Sequence, residues 1–301
     1  MALRTVEITK PSEIHIQNGQ LTIEQKAGTA SIPIEDIAQI TAIGPNIRLS
    51  TMDLSILTEH KVAIMTLDQK YLPTALVLPF EGNARQSRLI HQQVELSKDK
   101  YSEIWYQVIQ RKISNQARAL SILGFDGAEA VAHYANTLSM ENVDAHEALA
   151  AKEYFTKYHE GLNRRNSDPV NSRLNYGYAI VRSAIARAIV TVGCHPAFGI
   201  HHNSQLNSFN LADDLIEPYR PMVDLVAHEN VGAQEFLSRA ERKALAAVLH
   251  NACMVNGTKM SLLSAITATA ESFKRILGGD SAEELVLPTI LPIEEMEVIS
   301  E

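Results

Sequence analysis

The chain has 301 residues, 46% of them hydrophobic, with a formal net charge of −8, which is enough apolar material for two domains with cores of their own. No segment reaches about eighteen uninterrupted apolar residues, and the first thirty residues hold no apolar core behind a basic start, so the expectation is a cytoplasmic protein with no membrane segment. Its two cysteines, Cys194 and Cys253, lack C-x-x-C spacing, which argues against a cysteine-based zinc site and suits a reducing compartment.

The first eighty residues read as short strands. Ile14 and Ile16 alternate before Asn18-Gly19, and Leu21 and Ile23 alternate after it, which predicts a hairpin closed by a two-residue type I′ turn. Further strands are expected over 30–34, 39–43, 47–50, 62–67 and 72–78, with Gly44-Pro45-Asn46 as a turn and a short helix over 51–60. Pro79 to Asn83 breaks the pattern and sets a domain boundary near residue 82.

Beyond it the apolar period is helical. A long amphipathic stretch over 84–123 carries Leu89, Val94, Ile104, Val108, Ile113 and Leu120, and Gly124 supplies its stop. Further helices are expected over 127–138, 145–158, 174–192, 233–254 and 259–277, with Gly193, Gly278 and Gly279 as caps. That gives an α+β chain with strands in residues 1–82, an all-α domain in 83–280 and an acidic tail, 281–301, that is extended or disordered. The tail holds six glutamates and no Lys or Arg, which leaves only −2 for the first 280 residues. Basic residues cluster elsewhere: Arg85, Arg88, Arg111, Lys112 and Arg118 on the long helical stretch, and Arg164 with Arg165 in a polar connection. No Gly-rich phosphate loop of the Walker or dinucleotide type occurs, which disfavours nucleotide-dependent chemistry.

The chemistry-bearing residues gather in 199–224. Asp214 and Glu217 are three apart, so a helix over 210–217 puts both carboxylates on one face, and His201-His202 precedes them. Glu147 supplies a carboxylate from another helix: it starts a stripe with Ala151, Tyr154 and Tyr158. A carboxylate there either ligates or stabilises the first helical turn after Asp144. Glu147, one of His201 or His202, Asp214 and Glu217 could together hold Mg²⁺ or Mn²⁺. Hydrolysis and strand transfer use the same apparatus with different nucleophiles, and spacing does not choose between them. Cys194-His195 is followed by Pro196 and reads as a structural turn.

Several motifs in order resemble the CRISPR-associated spacer-acquisition integrases, the first of the two universal adaptation proteins. They are SIPIEDIAQI, IRLSTMDLSILTEHKVAIMTLD and YLPTALVLP, then EALAAKEYF, RRNSDPVNSRLNYGYAIVRSAIARAIVTVGCHPAFGIHH and FNLADDLIEPYRPMVD. The resemblance implies an amino-terminal β-sandwich dimerisation domain and a helical metal-dependent catalytic domain. It implies metal ligands at Glu147, His202 and Glu217, with Asp214 assisting and Mg²⁺ or Mn²⁺ as cofactor. One departure is Ala148, where many members carry glycine.

The implied activity is insertion of short protospacer DNA into a CRISPR array by 3′-hydroxyl attack on a phosphodiester, with endonuclease activity. The alternatives are a metal-dependent phosphodiesterase and a non-enzymatic DNA-binding scaffold. The implied partners are protospacer and leader-repeat DNA, a second copy of the chain, and the small second adaptation protein in a heterohexamer. The doublet, length and tail are most like type II members, leaning to subtype II-C, which adds the type II effector nuclease as a partner. By the same resemblance Arg164, Arg165 and Arg173 are expected to contact phosphates, and Arg85, Arg88, Lys112 and Arg118 to lie along a DNA track; Tyr176 and Tyr178 are candidates to position DNA there, with a core-facing ring the expected outcome for each.

Overall fold

A computed structural model describes residues 4–68, 73–81, 83–159, 169–229, 237–279 and 285–293. The amino-terminal part is two four-stranded sheets. One has the order β1-β5-β7-β8, from β1 (Arg4–Ile8), β5 (Ile37–Ala42), β7 (Ala63–Leu67) and β8 (Pro73–Val77). The other has the order β4-β3-β2-β6, from β2 (Ser12–Gln17), β3 (Gln20–Gln25), β4 (Gly28–Pro33) and β6 (Ile47–Leu49). Both feed one core through Val6, Ile8, Ile14, Leu21, Ile23, Ile37, Ile40 and Ile64; alternation places those of β1 and β3, whereas β5 is buried on both faces. In the expected hairpin Ile16 faces Leu21 and Ile14 faces Ile23, and Asn18 and Gly19 both take positive φ.

Helix α1 (Thr51–Glu59) starts on a capping box, with Ser50 and Asp53 satisfying each other's backbone N–H. The other Asp53 oxygen accepts from Ile16 N at 2.9 Å, so the cap also ties α1 to β2.

The long helical stretch is two helices, α2 (Gln86–Val94) and α3 (Lys98–Leu123). They part where Ser97 turns its hydroxyl to accept from Lys100 N and caps α3. Next come α4 (Ala128–Asn136), α5 (Val143–Tyr158) and α6 (Pro169–Val192), the last buried along nearly its whole length. Then follow α7 (Asn210–Leu215), a 3₁₀ turn over Glu217–Tyr219, α8 (Arg220–Glu229), α9 (Arg239–Ala246) and α10 (Leu262–Leu277).

The carboxy-terminal part is not all-α. A sheet of order β10-β9-β11 combines β9 (Ala252–Val255), β10 (Thr258–Ser261) and β11 (Thr289–Ile290) where helices over 233–254 and 259–277 were expected to run close together. Asn256 and Gly257 carry positive φ and close this hairpin, the same device as Asn18-Gly19. Within the tail, β11 pairs antiparallel with β9, and Leu285, Leu287 and Ile290 are buried.

The strand and helical parts meet along α6. Tyr176 donates to Glu7 at 3.2 Å, Ser183 to Gln39 at 2.9 Å, and Arg187 Nε to the Lys61 carbonyl at 2.6 Å. None of the described helices is long and apolar enough to cross a membrane.

Candidate metal centre

Glu147 lies on the second turn of α5, and Glu217 opens the 3₁₀ turn after α7. Both carboxylates meet one cation from α3: Lys112 Nζ is 2.5 Å from Glu147 Oε1 and 2.6 Å from Glu217 Oε2. Arg220 Nε binds the other Glu217 oxygen at 2.8 Å. Glu217 is only 8% exposed at its side chain, which favours the neutral acid. Arg220 and Lys112 outweigh that burial and hold its pKa down to about 2. Burial likewise opposes the charge on Lys112, and the two glutamates overcome it and raise the Lys112 pKa.

The histidine doublet is organised by Asp214, which is wholly buried. Asp214 Oδ2 accepts from the backbone N–H of Ile200 at 2.5 Å and of His201 at 3.0 Å. Its Oδ1 accepts from His202 N at 3.1 Å and pairs with His202 Nδ1 at 2.6 Å. A loop can wrap a carboxylate this closely only if nothing projects from Gly199, where a Cβ would strike the His202 carbonyl oxygen and Asp214 Oδ2. With Nδ1–H donated to Asp214, Nε2 is the nitrogen His202 can offer to an ion, a common way to fix a ligating imidazole. The same hydrogen bond raises the His202 pKa.

His201 points elsewhere. It stacks on Trp105 of α3 with ring centres 4.3 Å apart and planes within 3°. Trp105 Nε1–H reaches Asp144 Oδ1 at 3.3 Å, and a cavity of about 220 Å³ lies beside them between Tyr101, Met140 and Asp144.

The stripe that begins at Glu147 has a physical purpose. Tyr154 donates to Asp224 Oδ2 at 2.8 Å, Tyr158 to the Asp224 carbonyl at 2.8 Å, and Tyr178 of α6 to Asp224 Oδ1 at 2.5 Å. Arg220 packs over the Tyr178 ring at 4.6 Å. Asp224 therefore fastens α5 and α6 to α8, and with them the separation between Glu147 and Glu217. Asp224 and Trp105 were not singled out from the sequence; the three-four spacing of Tyr154 and Tyr158 was the visible trace of Asp224.

Four expectations change. Asp214 shares the helical spacing with Glu217, but its oxygens are spent on the loop amides and His202, so it orients the imidazole instead of facing an ion with it. Arg173 is 1% exposed and paired with Glu241 at 2.5 Å, so it offers no surface to a phosphate; the Tyr176 ring beside it in α6 lies in the core on Glu7. Tyr178 is buried on Asp224. Lys112 and Arg118 leave the DNA track: Lys112 holds the two glutamates, and Arg118 Nε donates to the Ile290 carbonyl at 2.6 Å. Arg85 and Arg88 are exposed, while Arg164 and Arg165 lie outside the described residues.

The donor set fits a hard divalent cation. Two carboxylates converge on one positive point, and an imidazole nearby keeps a nitrogen for an ion. In the described structure Glu147, His202 and Glu217 do not all lie within 4.8 Å of one another; among the described residues only Glu13, His15 and Glu24 do so as a group. Those three are exposed on β2 and β3 with Arg48 against Glu13, an ordinary surface ion pair.

Residues 6–254 match the family model described as CRISPR associated protein Cas1. The chain is 33% identical over 300 residues to a CRISPR-associated endonuclease Cas1 of Neisseria meningitidis serogroup C (strain 8013), covering 98% of this chain and 99% of that one. Its fold is similar to a casposase bound to integration product, with TM-score 0.75, 18% identity, and coverage of 100% and 96% of the two chains. It is also similar to a chain of a Cas6-RT-Cas1–Cas2 complex, with TM-score 0.71, 17% identity, and coverage of 94% of this chain and 36% of that one.

Proposed function

The chain belongs to the Cas1 family of CRISPR-associated proteins, and from that premise we propose that it is a metal-dependent DNA integrase and endonuclease of spacer acquisition. The observation that carries the reading is the meeting of Glu147 and Glu217, from separate elements, on one cationic point, with His202 fixed by Asp214 nearby. Glu147, His202 and Glu217 would hold Mg²⁺ or Mn²⁺. When bound, such an ion polarises a phosphodiester and stabilises charge on its oxygens. The protein's own residues do the positioning. Asp214 sets the imidazole, Asp224 ties α5, which carries Glu147, to α8, which follows the turn that carries Glu217, and Arg220 keeps Glu217 ionised.

The nucleophile in this reading is the 3′-hydroxyl of a short protospacer, and the bond broken is a phosphodiester at the leader end of a CRISPR repeat. Transesterification conserves the number of phosphodiester bonds, so no nucleotide energy source is needed. Supporting this are the named endonuclease relative and a solved casposase with its integration product. The partners proposed are DNA, a second copy of this chain through the paired sheets, and Cas2 in a heterohexamer, since one similar chain belongs to a Cas1–Cas2 complex. A type II setting, with its effector nuclease, and a cytoplasmic location complete the reading. Phosphate contacts are assigned to Arg85 and Arg88, and to Arg164 and Arg165 by the motif they lie in.

The test is an integration assay with Mn²⁺ or Mg²⁺, Cas2, protospacer DNA and a leader-repeat target. Glu217→Ala and His202→Ala should each reduce joined product by about 100-fold or more, as loss of a ligand or charge-stabilising group does. Unchanged joining by either variant would sink the site. Cleavage without joining, even with a free 3′-hydroxyl, would favour a hydrolytic phosphodiesterase. Salt-sensitive binding indifferent to chelation would favour a scaffold.

A further inference from the structure

Lys112 presents its ammonium where a metal ion would have to go. Its side chain is 10% exposed, and its nitrogen is within hydrogen-bond distance of Glu147 Oε1 and Glu217 Oε2 at once. A charged ammonium has three donors and no lone pair, so it cannot join an ion's ligand set. Its charge beside both oxygens repels an incoming cation. Conversely, without it Glu147 would stand beside the buried Glu217 carboxylate with only Arg220 to offset the two charges.

We propose that Lys112 is a resident counter-cation: it holds Glu147 and Glu217 together in the metal-free protein and is displaced from between them when a divalent cation binds. This rests on the metal reading above. Three features support it. The ammonium satisfies one oxygen of each glutamate, leaving the other Glu217 oxygen to Arg220. The three ligands are not gathered within 4.8 Å of one another, as befits a site held by a smaller charge. The Glu147 side chain is 26% exposed, which opens a way to water for a four-carbon stem that can swing.

The experiment uses the full chain without substitution. An amine-acylating reagent is applied with and without Mn²⁺, and acylation of Lys112 is followed by peptide mass spectrometry. Displacement predicts that Lys112 labelling rises several-fold at saturating Mn²⁺, while lysines far from the site, such as Lys26 and Lys259, keep their rates. Flat or falling Lys112 labelling overturns the proposal. Calorimetric Mn²⁺ titration of Lys112→Met, checked for folding by circular dichroism, should show binding tighter by about tenfold or more because a like charge has left the site. Weaker or equal binding by the folded variant counts against displacement. Glu147→Gln and Glu217→Gln separate the two readings: if they bind Mn²⁺ as the unsubstituted chain does, the metal centre itself is wrong and the counter-cation role falls with it.

Discussion

Asp214 carries more of the site's geometry than its sequence position suggests. It accepts three backbone N–H groups and one imidazole from inside the protein, and each is a charge-assisted hydrogen bond. Asp214→Asn turns an acceptor-only group into one with an N–H₂ facing amides, so the loop that carries His202 should open. The expected result is a loss of Mn²⁺ affinity of about 10–100-fold, in the range for outer partners of metal-ligating histidines. Calorimetric titration reads it, with far-UV circular dichroism retained; unchanged affinity would show that His202 does not depend on Asp214. Residue type and spacing offered Asp214, Glu217 and the histidine doublet of one short segment, with Glu147 from another helix, only as a possible ligand set, and the ordered motifs of the family resemblance narrowed it to Glu147, His202 and Glu217. Their division of labour was hidden. Asp214 and Glu217 are alike in type and spacing, and what separates them is that one faces a loop's amides and the other two cations. Lys112 and Arg173 show the same limit: a basic residue in a helical stretch looks surface-bound until its acidic partner, Glu217 or Glu241, arrives from far along the chain.

At the scale of elements, the strands were legible wherever alternation and a turn dipeptide coincided, as at Asn18-Gly19. The second Asn-Gly pair was overlooked because 233–254 and 259–277 are rich in helix formers, and a four-residue strand on each side is too short to show a period. Gly257 has φ +77, so Gly257→Ala should cost about 1–2 kcal/mol, measured by urea unfolding. A neutral result would mean the turn relaxes.

The Arg173–Glu241 pair makes a different prediction. Burial pushes the Glu241 pKa up, but the Ser238 hydroxyl and amide and the Arg173 guanidinium bring it down to about 2, against an ordinary 4.5. A depressed carboxylate pKa contributes stability in full above the unfolded value and loses it as pH falls toward the folded one. The Glu241 contribution is therefore complete above about pH 4.5 and lost between there and pH 2. Glu241→Gln should flatten the acid side of the melting-temperature profile in that window. An identical acid slope in the variant would contradict the pairing.

Across the whole molecule, α3 ties distant parts of the chain to the candidate centre. Its face carries Trp105 against the histidine doublet, Lys112 on the two glutamates, and Arg111, Asn115 and Arg118 on the tail. Residues 285–293 of the tail lie along this face, where Leu285 N also donates to Gln107 at 2.8 Å. No sequence period announces such docking, because β11 is two residues long, pairs only with the short β9, and is otherwise held by polar side chains of α3.

Asn115 is the joint. Its Nδ2 donates to the Pro218 carbonyl at 2.7 Å and the Pro288 carbonyl at 3.0 Å, and its Oδ1 accepts from Ile290 N at 3.3 Å. One fully buried amide thus joins the tail to the 3₁₀ turn that starts at Glu217. Asn115→Ala strands buried backbone groups on both segments and should cost roughly 2–4 kcal/mol. It should also lower Mn²⁺ affinity at temperatures where the variant is still folded, since the turn that carries Glu217 loses its tether. Thr289→Ala removes only the contact with Arg111 and should cost about 1 kcal/mol or less, with Mn²⁺ affinity kept. If Asn115→Ala loses stability but binds Mn²⁺ as tightly as the parent, the tail braces the helical domain without reaching the site.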